Sequence, residues 1–147
     1  MNVSLAASVR NWAASVGAIL LAALVAFLAP ILFGPVSQPV ALAALDPLVV
    51  PIVVVALLLN LCGMFCQVRL FKAEGGEAEI LRNFERSRRL AFTAFDVSAV
   101  LGVFLSLWVR CALLSAPFLG ASLVLLASSF PSRAAYLASI ERVRRPQ

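Results

Sequence analysis

The stretch LAFTAFDVSAVLGVFLSLWVRCALLSAPFLGASLVLLASSFP, residues 90–131, holds only two charged side chains, Asp96 and Arg110. Crossing a hydrocarbon layer of about 30 Å takes roughly 20 helical residues, so this block alone has room for two crossings. Two further apolar blocks precede it, residues 11–45 and 47–68, and neither contains a charge. Together they predict an all-α integral membrane protein with four transmembrane helices, at about 11–33, 48–68, 90–109 and 114–132. The expected architecture is one membrane domain over residues 1–147, an antiparallel up-down bundle. Helices two and three form a hairpin extended into the cytoplasm, with its tip at 69–89, and the cytoplasmic tail is 133–147.

Composition agrees. Of 147 residues, 63% are hydrophobic and the mean hydropathy is +1.01, more apolar surface than a soluble domain of this size can hide. The first apolar core, from Trp12 to Phe33, is longer than the 7–15 residues of a signal-peptide core, so it reads as a retained anchor. Arginine outnumbers lysine eleven to one, which points to a bacterium with a GC-rich genome and hence to a multi-pass protein of the cytoplasmic (inner) membrane.

Punctuation along the chain supports the division into spans. Gly34-Pro35 ends the first span, and Pro30 bends its outer third. Gly75-Gly76 breaks the helix that continues from span two, and a new helix starts at Glu77 with Glu77 and Glu79 in its first turn. Ile80, Phe84, Ala91 and Phe95 then recur near one face, and this periodicity runs into span three without a gap. The chain turns again somewhere between Arg110 and Pro117.

The net charge of +5 is distributed by topology and is not a nucleic-acid footprint. With the N-terminus inside, the inner segments carry Arg10, Arg69, Lys72, Arg82, Arg86, Arg88, Arg89, Arg133, Arg142, Arg144 and Arg145, whereas the outer segments carry only Arg110. The positive-inside rule therefore places both termini in the cytoplasm. Arg82, Arg86, Arg88 and Arg89 at the hairpin tip, and Arg142, Arg144 and Arg145 in the tail, are candidates for contact with anionic lipid or a partner.

Asp96 is the candidate with chemistry. It lies about 9 Å along the helix from the start of its span, where a carboxyl must face protein or water. Asn60 sits at similar depth on the neighbouring helix and is expected to pair with it, with Thr93, Ser128 and Ser129 completing an intramembrane polar cluster. The cluster reads as a polar clamp that holds helices in register or as a proton or cation relay. Small residues at four-residue spacing mark helix–helix packing: Ser98, Gly102 and Ser106; Ala116 and Gly120; Ala14, Ala18, Ala22 and Ala26. These serve packing within one chain, or one of them, foremost that of span one, meets a second subunit.

No catalytic group is expected, because no nucleophile–base pair, carboxylate pair or phosphate loop occurs. The chain has no histidine, and Cys62 and Cys66 lie inside a span with Met64 pointing away from them, so no metal and no cofactor is expected. The function these features favour is an accessory or scaffold subunit of a membrane complex, acting through helix–helix association as a homo-oligomer or with other membrane subunits. The alternatives are a small oligomeric channel or transporter with Asp96 and Asn60 lining the path, and a holin-like membrane-permeabilising effector.

Overall fold

The computed structural model describes residues 3–33, 46–69 and 77–132, and in the tail 134, 137, 138 and 141. It is a packed bundle of four helices: α1 (Val3–Phe33), α2 (Val49–Arg69), α3 (Glu77–Trp108) and, after a 3-10 turn at Ala112–Leu114, α4 (Ser115–Ser128). The connection at 34–45, the Gly75-Gly76 pair, Arg133 and the tail arginines 142, 144 and 145 lie outside the described residues.

Two helix boundaries, the start of α2 and the end of α3, have a local cause. Asp46 starts α2: its carboxylate accepts the Leu48 N–H at 2.8 Å and its carbonyl accepts the Val49 N–H at 3.0 Å. Pro47 follows it at the position where a missing N–H costs nothing. α3 ends in a left-handed cap. The Cys111 N–H reaches the Ser106 carbonyl at 2.9 Å and the Arg110 N–H the Leu107 carbonyl at 3.4 Å, with Arg110 at φ 51°. Both bonds belong to the Schellman pattern, and Arg110 occupies the place glycine normally takes.

The long helices follow the apolar blocks, and three of them, α1, α2 and α3, are long and apolar enough to cross a membrane. α3 runs unbroken for 32 residues, about 48 Å, so it projects beyond a ~30 Å hydrocarbon layer as the uninterrupted periodicity predicts. The fourth expected span, at 114–132, is realised as a helix of only 14 residues, about 21 Å. Residues 112–114 are wound more tightly as 3-10, and the helix stops at Ser128, ahead of Pro131. The chain is thus a four-helix bundle with three helices of spanning length.

α3 is the hub, packing against each of the other helices, and α1 also leans on α4. Ile80, Phe84, Ala91 and Phe95 all turn inward and are buried. One apolar cluster joins Ile19 and Ala26 of α1, Phe92, Phe95, Ala99 and Val103 of α3, and Leu119 and Leu126 of α4. A second joins Val49 and Ala56 of α2 to Leu105 of α3, Val109, Cys111 and Phe118. Neighbouring helices run in opposite directions: Asn60 meets Ser98 while Gly63 meets Phe95, and Gly102 meets Phe118 while Ser122 meets Phe95. The outward faces are apolar, with Leu21, Leu24 and Phe27 of α1 and Val54, Leu58 and Leu61 of α2 all exposed. Hydrocarbon is the solvent that accepts such faces.

Candidate functional site: a polar layer at the arginine-bearing end

Among the described residues, side-chain hydrogen bonds tie the helices to one another in a layer reaching from mid-bundle toward the arginine-rich end of α3. Ser15 Oγ of α1 donates to Asp96 Oδ2 of α3 at 2.8 Å, and Asn60 Nδ2 of α2 donates to Ser98 Oγ of α3 at 3.1 Å. Ser122 Oγ of α4 donates to the Phe95 carbonyl of α3 at 3.0 Å. Three more meet at the end of α4. Trp12 Nε1 donates to the Leu126 carbonyl at 2.8 Å, the Gln67 amide nitrogen donates to Ser129 Oγ at 2.7 Å, and the Arg88 guanidinium donates to the Ser129 carbonyl.

The convergence at α4 has a physical cause. The last four carbonyls of a helix lack partners within it, and at membrane depth water is scarce, so an unmade bond costs several kcal/mol. Trp12 adds a second donor to the Leu126 carbonyl, which also accepts the Ser129 N–H at 3.1 Å, and Arg88 supplies one to the carbonyl of Ser129 just past the helix, bringing α1 and α3 to the same helix end. Aromatic contacts seal it. The Trp12 ring meets Phe130 edge-on with centroids 5.0 Å apart, and the Arg88 guanidinium lies 5.2 Å from the centre of the Phe84 ring.

The pairing expected between Asn60 and Asp96 is not made. Positions 96 and 98 point about 200° apart on a helix, so α2 meets Ser98 while Asp96 turns to α1 and finds Ser15. Thr93 and Ser128 stand apart from the layer. Both are exposed and spend their hydroxyls on their own helices, on the Arg89 and Leu125 carbonyls. Ser129 does join it, through Gln67. Arg88, grouped by sequence with the lipid-facing arginines, is half-buried and committed to α4, whereas Arg82, Arg86 and Arg89 are exposed. Among the described residues, the buried polar atoms Ser8 Oγ, Asn60 Oδ1 and Asp96 Oδ1 have no hydrogen-bond partner. Among the described residues no group of three histidine, cysteine or acidic side chains is placed to hold a metal.

The chain matches no known protein family, no curated protein and no solved structure.

The small-residue stripes divide between inside and outside. Ser98, Gly102 and Ser106 are all buried, and a Cβ built on Gly102 would lie 2.4 Å from Phe118 Cβ, so this stripe admits α4. Ala22 and Ala26 pack in the core of α1, but Ala14 and Ala18 are exposed. A four-residue step overshoots the helical turn by about 40°, so the row winds from the outer face into the core. Ala116 and Gly120 are exposed on α4, and a Cβ on Gly120 would meet nothing within 4 Å.

Several residues of the layer follow a second periodicity in the sequence. Ala56, Asn60, Gly63 and Gln67 recur at heptad spacing along α2, and a Cβ on Gly63 would lie 2.6 Å from Phe95 Cε1. Ser8, Trp12, Ser15 and Ile19 repeat in the same way on α1, and each is buried or half-buried. The heptad pattern identifies both faces, whereas a four-residue spacing of small residues does not coincide with it.

Proposed function

We propose that this is a non-catalytic polytopic protein of a bacterial inner membrane, acting through helix–helix association as a homo-oligomer or as an accessory subunit of a membrane complex. The observation that carries the reading is the placement of small residues on uncovered surface. Ala14, Gly17 and Ala18 on α1 and Ala116, Gly120 and Ala121 on α4 are exposed, and a Cβ on Gly17 or Gly120 would meet nothing within 4 Å. Small residues let two backbones approach closely, which in lipid is a principal source of helix affinity. A face required only to contact acyl chains needs none of them.

In this reading the polar layer is a clamp that keeps the chain's own helices in register, leaving the outer faces for association. The fourth crossing is completed by the residues that flank α4 within 114–132, and both termini lie in the cytoplasm. Mass determination of the gently solubilised complex tests the association. A defined oligomer, or a second membrane protein in fixed ratio, is expected, and Gly120→Leu should shift that mass toward the single chain without loss of helix content. A monomer for the native chain refutes the reading.

A second reading, a small channel or carrier, is favoured by one observation: Asp96 Oδ1 and Asn60 Oδ1 are buried acceptors without a donor. Flux through liposomes holding the purified chain, abolished by Asp96→Asn, would establish it in place of the clamp.

A further inference from the structure

α3 carries a long face that the other helices leave uncovered. Arg82, Arg86 and Arg89 are all exposed on it. Their spacing of i, i+4 and i+7 makes a row about 10 Å long on one side of the helix. One turn further on, Thr93 folds its hydroxyl back onto the Arg89 carbonyl at 3.0 Å, presenting its methyl group outward. Beyond it the same face becomes apolar, with Val97, Val100 and Phe104 exposed at 42%, 59% and 49%.

The change from cationic to apolar takes about one helical turn. An occupant of the whole face therefore needs a compact negative charge at one end and hydrocarbon at the other. A soluble acidic segment satisfies the arginines but not the valines, and a zwitterionic lipid satisfies the valines but offers the arginines a phosphate whose charge its own ammonium offsets. Glu79 stands on the same face only at its aqueous end. We infer that this face binds an anionic phospholipid, its phosphate held by Arg82, Arg86 and Arg89 and its acyl chains lying along Val97, Val100 and Phe104. The planar guanidinium fork suits a phosphate geometrically, and the charge of each arginine near an anionic leaflet adds to the affinity. Arg88 contributes nothing here, because its guanidinium is spent on α4.

Native mass spectrometry of the full chain in neutral detergent, titrated with phosphatidylglycerol or phosphatidylcholine, tests the assignment. Phosphatidylglycerol should bind at least tenfold more tightly. Replacing Arg82, Arg86 and Arg89 together by Gln should weaken it about a hundredfold, roughly fivefold for each. The triple replacement by Lys should stay within a few-fold of native, and Arg110→Gln should change nothing. Should the triple Gln variant fail to fold, Arg89→Gln alone gives the same readout, at about fivefold. Equal binding of the two lipids, or a Gln-variant loss no larger than that of Arg110→Gln, overturns the proposal. So does displacement of phosphatidylglycerol by inorganic phosphate or by polyglutamate at equal charge, since the face would then belong to a free anion or to an acidic protein segment.

Discussion

Arg110 holds a backbone conformation that L-residues other than glycine avoid, φ 51°, and it does so to close α3. The left-handed conformation costs a side-chain-bearing residue about 1–2 kcal/mol. Two features offset this: a cation beside the negative end of a helix dipole, and the burial of Cys111 next to Leu105, which completes the cap. Arg110→Gly is therefore expected to raise the unfolding free energy by about 1 kcal/mol, and Arg110→Val to lower it by more. Equilibrium unfolding in mixed micelles measures both. Gly102 and Gly120 form a second contrast. A methyl group on Gly102 must displace Phe118 at its Cβ and Cγ, atoms close to the backbone, whereas Gly120 faces open space. Gly102→Ala should cost about 1–3 kcal/mol by overpacking, while Gly120→Ala should leave the isolated chain as stable or slightly more so. The same unfolding assay separates them.

At the scale of the element, α4 is the helix whose existence was legible and whose extent was not. Apolar content marks residues 114–132 as a membrane segment. What shortens the helix to Ser115–Ser128 is local: a 3-10 turn before it and a backbone that leaves the helix ahead of Pro131. α3 was legible almost completely, because its buried residues repeat at helical spacing from Ile80 onward and no glycine or proline interrupts them before Gly102. The partners of its polar residues were less so. Depth along a helix follows from counting residues, but azimuth decides who meets whom. A difference of two positions sent Asn60 to Ser98 and Asp96 to Ser15. Arg88 was legible by azimuth: it lies four residues after Phe84 and three before Ala91, on the buried face, whereas Arg82, Arg86 and Arg89 fall on the opposite side. Removing its bond to the Ser129 carbonyl should loosen the end of α4. Arg88→Gln is expected to cost about 1–2 kcal/mol, and hydrogen exchange at residues 126–130 should rise by about tenfold while exchange in α2 stays unchanged.

For the whole molecule, the inter-helix hydrogen bonds named above and Arg82, Arg86, Arg88 and Arg89 lie toward one end of the bundle, while Arg110 and the apolar cluster around Val49, Leu105 and Phe118 lie toward the other. A membrane accounts for this polarity: the positive-inside rule favours arginine-rich ends on the inner side, and near an interface polar side chains are less costly than at mid-depth. Three helices of spanning length carry the chain across three times, and the short α4 must bring it back if the tail arginines are to lie beside those of the hairpin. Single cysteines introduced at positions 76, 113 and 147 of a chain lacking its native thiols, probed with an impermeant maleimide on intact cells, read this directly. Position 113, on an exposed leucine between α3 and α4, should label from outside, and positions 76 and 147 only after permeabilisation. External labelling at 147 would mean that α4 does not cross, and external labelling at 76 would reverse the orientation on which the bundle's polar and basic end is assigned to the cytoplasm.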